Sequence, residues 1–113
     1  MNDVNSIVDN LLLELRRGTI VLSVLSQLKT SKYGYSLVET LKEKGIQVEP
    51  GTLYPLMRRL EKQGLLKSEW ETKGSKPRKY YGLSDMGKEV YDILIKEWAD
   101  MESTIDKLIE RSR

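Results

Sequence analysis

Two short stretches of this sequence concentrate groups that can hold an anion. Arg58, Arg59 and Lys62 lie within five residues of one another, and Lys73, Lys76, Arg78 and Lys79 lie within seven, around Gly74, Ser75 and Pro77. Cationic side chains at that density match phosphate oxygens, and arginine also carries the forked donor pair that reads a guanine edge. Chemistry of other kinds is scarce. The chain has no Cys and no His, which excludes thiolate nucleophiles, thiolate or imidazole metal centres and a Ser-His-Asp triad. It also has no glycine-rich phosphate loop. Glu97, Asp100, Glu102 and Asp106 gather near the C-terminus, but carboxylates without imidazole are a weak ligand set, so a solvated acidic helix is expected there. The expectation is therefore no catalytic residue, no metal, no cofactor and no enzymatic activity.

Placement of the charge matters more than its sum. Net charge is only +2 over 113 residues. Residues 1–53 balance at 6 basic and 6 acidic side chains, residues 54–84 carry 8 basic against 3 acidic, and residues 85–113 carry 5 against 8. A compact basic segment thus sits between a neutral half and an acidic tail. No apolar run reaches the ~18–20 residues that span a bilayer, and the start Met1-Asn2-Asp3-Val4 lacks the basic and apolar regions of a signal peptide. A soluble, cytoplasmic chain with no membrane partner is expected.

The elements that must position the basic groups follow from periodicity. Val4, Ile7, Val8, Leu11, Leu12 and Leu15, then Ile20, Val21, Val24, Leu25 and Leu28, recur at helical spacing. Gly18 makes this one bent helix or two in tandem. A short helix from Tyr33 to about Lys44 turns Leu37, Val38 and Leu41 inward and ends at Gly45. Ile46-Gln47-Val48 suits a very short extended piece. Pro50 fits the first position of a third helix, which ends near Gln63. That helix has an apolar face of Leu53, Leu56, Met57 and Leu60, and an outer face of Gly51, Pro55, Arg58 and Lys62. Leu66-Ser68-Trp70 and Tyr81-Leu83 alternate with polar neighbours as strands of a hairpin, with Trp70 packing at its base and Tyr81 in the core. Ser84 caps a last helix, Asp85 to about Arg111. In it Leu94, Trp98, Met101, Ile105 and Leu108 step by four and three, a seam by which helices pair.

Helix, short helix, helix, hairpin, long helix is the order of a winged helix-turn-helix followed by a dimerisation helix. The fold class expected is mainly α with a small β-hairpin. Residues 1–83 would form the DNA-binding unit and residues 84–113 the dimerisation helix. In such modules the second helix of the pair enters the major groove, so the third helix and the wing point to double-stranded DNA. The alternative is a winged-helix module that binds protein, in which apolar or mixed residues would stand where Arg58, Lys62 and the wing lysines do.

Three segments carry a specific resemblance: KYGYSLVETL at 32–41, PGTLYPLMRRLEKQGLL at 50–66 and KPRKYYGLSDMGKE at 76–89. They resemble the PadR family of bacterial transcriptional regulators almost position for position, over about residues 16–100. The single long last helix resembles the short subfamily. The resemblance implies a homodimeric repressor of detoxification, efflux or envelope genes that binds an inverted-repeat operator. It places Thr52, Tyr54, Pro55 and Arg58 on the recognition helix, whose outer face also carries Gly51, Arg59 and Lys62 as further DNA-contact candidates. By the same resemblance Lys32, Tyr33 and Tyr35 would approach phosphates and Gly74, Lys76 and Arg78 would belong to the wing, whose basic tip also holds Lys73, Ser75 and Lys79 as DNA-contact candidates. The first and last helices would interlock with a second copy through Val8, Leu11, Leu12, Leu15, Leu94, Trp98, Met101, Ile105 and Leu108. A small aromatic or drug-like effector would sit at the dimer centre among Leu12, Leu15, Thr19, Ser23, Trp98 and Glu102. Two positions keep alternatives open. Trp98 is either dimer core or a ligand-stacking ring, and Tyr54 either contacts DNA through its hydroxyl or packs against Tyr80.

Overall fold

A computed structural model describes residues 3–110. Helix α1 spans Val4–Gln27. Asp3 caps it by accepting a hydrogen bond from the Ser6 backbone N–H at 2.8 Å. Gly18 neither ends nor divides the helix. A two-residue strand β1, Lys32–Tyr33, precedes α2, Gly34–Glu43, and α3 covers Pro50–Lys62. The wing strands are β2, Leu66–Glu71, and β3, Arg78–Leu83. Helix α4 spans Asp85–Leu108. The expected end near Arg111 lies outside the described residues.

Local chemistry explains the boundaries. Gly45 and Gly64 follow α2 and α3 at φ +95° and +85°, the left-handed conformation that lets a helix close on itself. After each, the next amide bonds back into the helix: Ile46 N–H to the Leu41 carbonyl at 2.8 Å, and Leu65 N–H to the Leu60 carbonyl at 3.0 Å. Pro50 opens α3, where its missing N–H has no helical partner to lose. Ser84 caps α4, accepting from the Gly87 N–H at 2.9 Å while its hydroxyl donates to the Gly64 carbonyl at 2.6 Å.

The sheet is a three-stranded antiparallel layer in the order β1-β3-β2. Tyr33 pairs with Tyr80 and Lys32 with Tyr81 across β1 and β3, while Leu66 faces Leu83 and Trp70 faces Lys79 across β2 and β3. The expected extended piece at Ile46–Val48 forms no strand; the third strand is Lys32–Tyr33. Two residues carry no alternation, and only the edge of β3 makes them a strand.

One core joins all layers. Val24, Leu25 and Leu28 of α1 meet Leu37 and Leu41 of α2, Leu53, Met57 and Leu60 of α3, and Leu66, Tyr81 and Leu83 of the wing. Tyr91 roots α4 in the same cluster. Periodicity turned most of these inward, while Ile20, Val21, Val38 and Leu56 of the same apolar faces are half-buried at the margin and Tyr91 was not anticipated. Two expectations fail. Trp70 does not pack into the wing base and is 63% exposed, because its position pairs with Lys79 out toward the hairpin tip. Asp106 is not on a solvated face but is buried.

Candidate nucleic-acid interface

Helix α3 presents two faces of opposite character. Leu53, Met57 and Leu60 are buried beneath it, while Gly51, Thr52, Pro55, Arg58, Arg59 and Lys62 are all exposed. The helix continues through Pro55, whose ring nitrogen cannot bond the carbonyl one turn back. Small residues at Gly51, Thr52 and Pro55 leave the first two turns low enough for close approach. The long cations Arg58, Arg59 and Lys62 follow at the C-terminal end, where they also suit the helix dipole.

The wing supplies the second cationic element. Lys73, Gly74, Ser75, Lys76 and Arg78 are exposed, and the Lys73 backbone N–H donates to the Glu71 carboxylate at 3.0 Å, bracing the turn. Lys79 differs from its neighbours. Its Nζ lies 3.3 Å from Glu61 Oε1 of α3 and stands 5.1 Å over the Tyr81 ring and 5.9 Å over Trp70. Burial alone would lower the Lys79 pKa, but hydrogen bonds with Tyr81 and Glu61 outweigh it and raise the pKa above the ordinary value. Glu61 accepts a second hydrogen bond from the Ser68 hydroxyl of β2. That bond, followed by Lys79, lowers the Glu61 pKa. Glu61 is thus a strut between α3 and both strands of the wing.

Between these elements lies a groove of about 390 Å³. It is lined by Tyr33, Tyr35, Tyr54, Trp70 and Pro77 together with Arg58, Arg78 and Lys79. Tyr54 packs its ring against Gly34, where an added Cβ would stand 2.9 Å from Cε1. It does not meet Tyr80, which stacks instead on Tyr33 with centroids 4.0 Å apart. A hydrogen bond with Tyr33 raises the Tyr80 pKa. Lys32 is half-buried in β1, beside this cluster. A groove walled by aromatic rings and edged by arginines can seat a sugar–phosphate chain between a helix in one groove and a wing in the next.

Far from this face the chain leaves apolar surface uncovered. Val8, Leu11 and Leu15 of α1 and Trp98, Met101, Ile105 and Leu108 of α4 are all at least 41% exposed, while Leu12 and Leu94 are half-buried. Ile93 and Ile95 are exposed on α4 as well; they fall off the four-three spacing that marked the seam. Of the residues expected around an effector, Leu12 and Leu15 share a shallow apolar groove of about 500 Å³ on α1, completed by Val8, Leu11 and Glu14. Thr19 and Ser23 donate their hydroxyls to the Arg16 and Thr19 carbonyls, each at 2.7 Å. Glu102 is half-buried, and Trp98 is 41% exposed on α4. Among the described residues, no cluster of acidic side chains could hold a metal ion, and no helix is long and apolar enough to cross a membrane.

Residues 21–93 match the transcriptional regulator PadR-like family. The chain belongs to that family. A PadR family transcriptional regulator of Eggerthella lenta has a crystal structure similar at TM-score 0.90, with 52% identity and 96% of each chain covered. The PadR family regulator of Clostridium difficile is similar at TM-score 0.72 and 28% identity, over 78% of this chain and 95% of that one. A curated relative, transcriptional regulator Rv3488 of Mycobacterium tuberculosis, is 34% identical over 66% of this chain and 71% of its own length. These relatives are transcriptional regulators, not enzymes. The PadR-like match contains every candidate from Lys32 to Lys79 and stops before Leu94 and Trp98. The Glu61–Ser68–Lys79 strut escaped sequence reasoning, although the signal was present: Glu61 and Ser68 flank the Gly64 turn, which folds β2 back beside α3.

Proposed function

We propose that this protein is a homodimeric, sequence-specific DNA-binding regulator. Its most specific form is a repressor of detoxification, efflux or envelope genes relieved by a small aromatic or drug-like effector. The observation that carries the DNA reading is the pairing of the exposed basic face of α3 with the cationic wing across one aromatic groove. Gly51, Thr52, Tyr54, Pro55, Arg58, Arg59 and Lys62 would enter the major groove, and Lys73, Gly74, Ser75, Lys76 and Arg78 would follow the backbone. Lys32, Tyr33 and Tyr35 line the approach, and Lys79 supports the wing through Glu61. Within this proposal, residues 1–83 bind DNA and residues 84–113 hold the dimer. Val8, Leu11, Leu12, Leu15, Leu94, Trp98, Met101, Ile105 and Leu108 form the contact between copies, and the chain works in the cytoplasm.

Dimerisation supplies the regulatory logic. Two recognition helices set about 34 Å apart read an inverted repeat. A ligand held at the dimer centre, near Leu12, Leu15, Thr19, Ser23, Trp98 and Glu102, would change that separation. Its leverage equals its preference for one geometry over the other. Target class and effector rest on family resemblance, whereas the basic face is this chain's own feature.

The test is selection of bound fragments from sheared genomic DNA at physiological salt, followed by sequencing. A few fragments sharing an inverted repeat are expected. Fragments without a common sequence would remove specificity, and no recovery at all would favour a protein partner for the winged helix.

A further inference from the structure

Arg78 opens β3 beside the hairpin turn, yet it does not stand free. Its Cζ lies 5.2 Å from the Tyr33 ring centroid and 5.7 Å from that of Tyr35, and its Nη1 donates to the Tyr35 hydroxyl at 3.4 Å. Tyr33 and Tyr35 are stacked nearly parallel, 9° apart at 5.8 Å, and Tyr80 holds Tyr33 from its other neighbour strand at 4.0 Å. Glu71 faces Arg78 across the hairpin, yet the Glu71 carboxylate is engaged by the Lys73 N–H. The guanidinium leans on the tyrosines.

We propose that Tyr33 and Tyr35 form a platform that pre-orients Arg78 for a backbone phosphate, with Tyr35 the positioning residue that acts through Arg78 rather than on DNA itself. The proposal rests on the DNA-binding reading. A free arginine loses much rotamer freedom when it grips a phosphate, and a stacked guanidinium has lost part of that freedom before DNA arrives. Tyr35 engages a single N–H, so the donors on the opposite edge remain for a phosphate. The platform also crosses elements. Tyr33 belongs to β1, Tyr35 to α2 and Tyr80 to β3, so the wing arginine is held in register with the helix-turn-helix rather than moving with the hairpin tip.

The test is a double-mutant cycle between Tyr35 and Arg78 on a fragment recovered by genomic selection, with a random duplex beside it. Tyr35→Ala is expected to weaken binding about fivefold, the size of a partly exposed cation–π contact. Although it removes no charge, it should also flatten the salt dependence by up to about 0.9 in slope, as Arg78→Ala does, because the phosphate contact is lost. Tyr35→Phe keeps the stack and should retain most of the affinity. In an Arg78→Ala background Tyr35→Ala should add nothing. Tyr35 is half exposed, so circular dichroism should show these variants folded. Additive losses would overturn the proposal, since Tyr35 would then touch DNA directly, and so would full affinity in Tyr35→Ala. An unchanged Arg78→Ala with intact wild-type binding would remove Arg78 from the interface and the proposal with it, leaving the regulator reading in place. Failure of the wild type to bind either duplex would defeat both.

Discussion

Gly87 offers a prediction whose sign separates helix propensity from packing. It lies in the first turn of α4, where replacing glycine by alanine ordinarily stabilises a helix by up to about 1 kcal/mol. A Cβ at Gly87, however, would stand 2.0 Å from the Leu65 carbonyl oxygen and 3.0 Å from its carbon. The first turn of α4 would have to retreat roughly 1 Å to relieve the overlap. Three hydrogen bonds resist that movement. Ser84 N–H donates to the same Leu65 oxygen at 3.0 Å, the Ser84 hydroxyl donates to the Gly64 carbonyl at 2.6 Å, and Gly87 N–H donates to the Ser84 hydroxyl at 2.9 Å. Overpacking of this kind costs about 1–3 kcal/mol, and a strained hydrogen bond adds about 1. After the propensity gain, Gly87→Ala should destabilise by about 2 kcal/mol. Urea denaturation followed by far-ultraviolet circular dichroism, at one fixed protein concentration, measures it. Gly18→Ala is the contrast, because nothing lies within 4 Å of a Cβ there; it should hold or raise the midpoint. An unchanged or higher midpoint for Gly87→Ala would refute the reasoning that backbone contact with Leu65 fixes α4 on the wing.

Other expectations follow from the interface. Arg58→Ala should cost about 1–3 kcal/mol in specific DNA affinity and relax base preference; equal losses on specific and random duplexes would restrict Arg58 to phosphate. Lys76→Ala should weaken all sequences alike and reduce the slope of log affinity against log salt by about 0.9, a change that binding titrations at several salt concentrations would detect. Ser68→Ala should lose about 1–2 kcal/mol at neutral pH by removing a hydrogen bond to a charged acceptor. Because the folded Glu61 pKa is lowered from 4.5, this stabilisation is complete above that value and fades as pH falls through the depressed one. The gap in urea midpoint between wild type and Ser68→Ala should narrow accordingly in acid. Met101→Glu, on the exposed stripe of α4, should weaken the proposed dimer by about 3 kcal/mol or more, as each copy would lose a methionine from the proposed contact. Light scattering should then find monomers, and a persistent dimer would place the pairing elsewhere.

Most of the architecture was legible because it rests on local signals. Helical spacing located α1, α2, α3 and α4. Pro50, Gly45, Gly64 and Ser84 marked their ends, and each acts through a bond or dihedral within a few residues. Alternation located β2 and β3, and charge clustering picked out Arg58, Lys62 and the wing lysines. What stayed hidden depends on partners far apart in the chain. Strand β1 exists because Tyr33 meets Tyr80 across the sheet. Trp70 and Asp106 changed places in the burial order because neither shows on its own element which neighbours surround it.

Residue type and spacing alone determined that this chain would fold as a winged helix with a long terminal helix, and where its cationic side chains would cluster. Periodic apolar faces must be buried and prolines and glycines punctuate locally, so these facts need no third dimension. Tertiary structure decided how the cations are used. Lys79 is tied to Glu61, Arg78 rests on two tyrosines, and Arg58, Lys73 and Lys76 face solvent. Identical charges acquire different roles because desolvation, ring contacts and ion pairing depend on distances that only the folded chain sets.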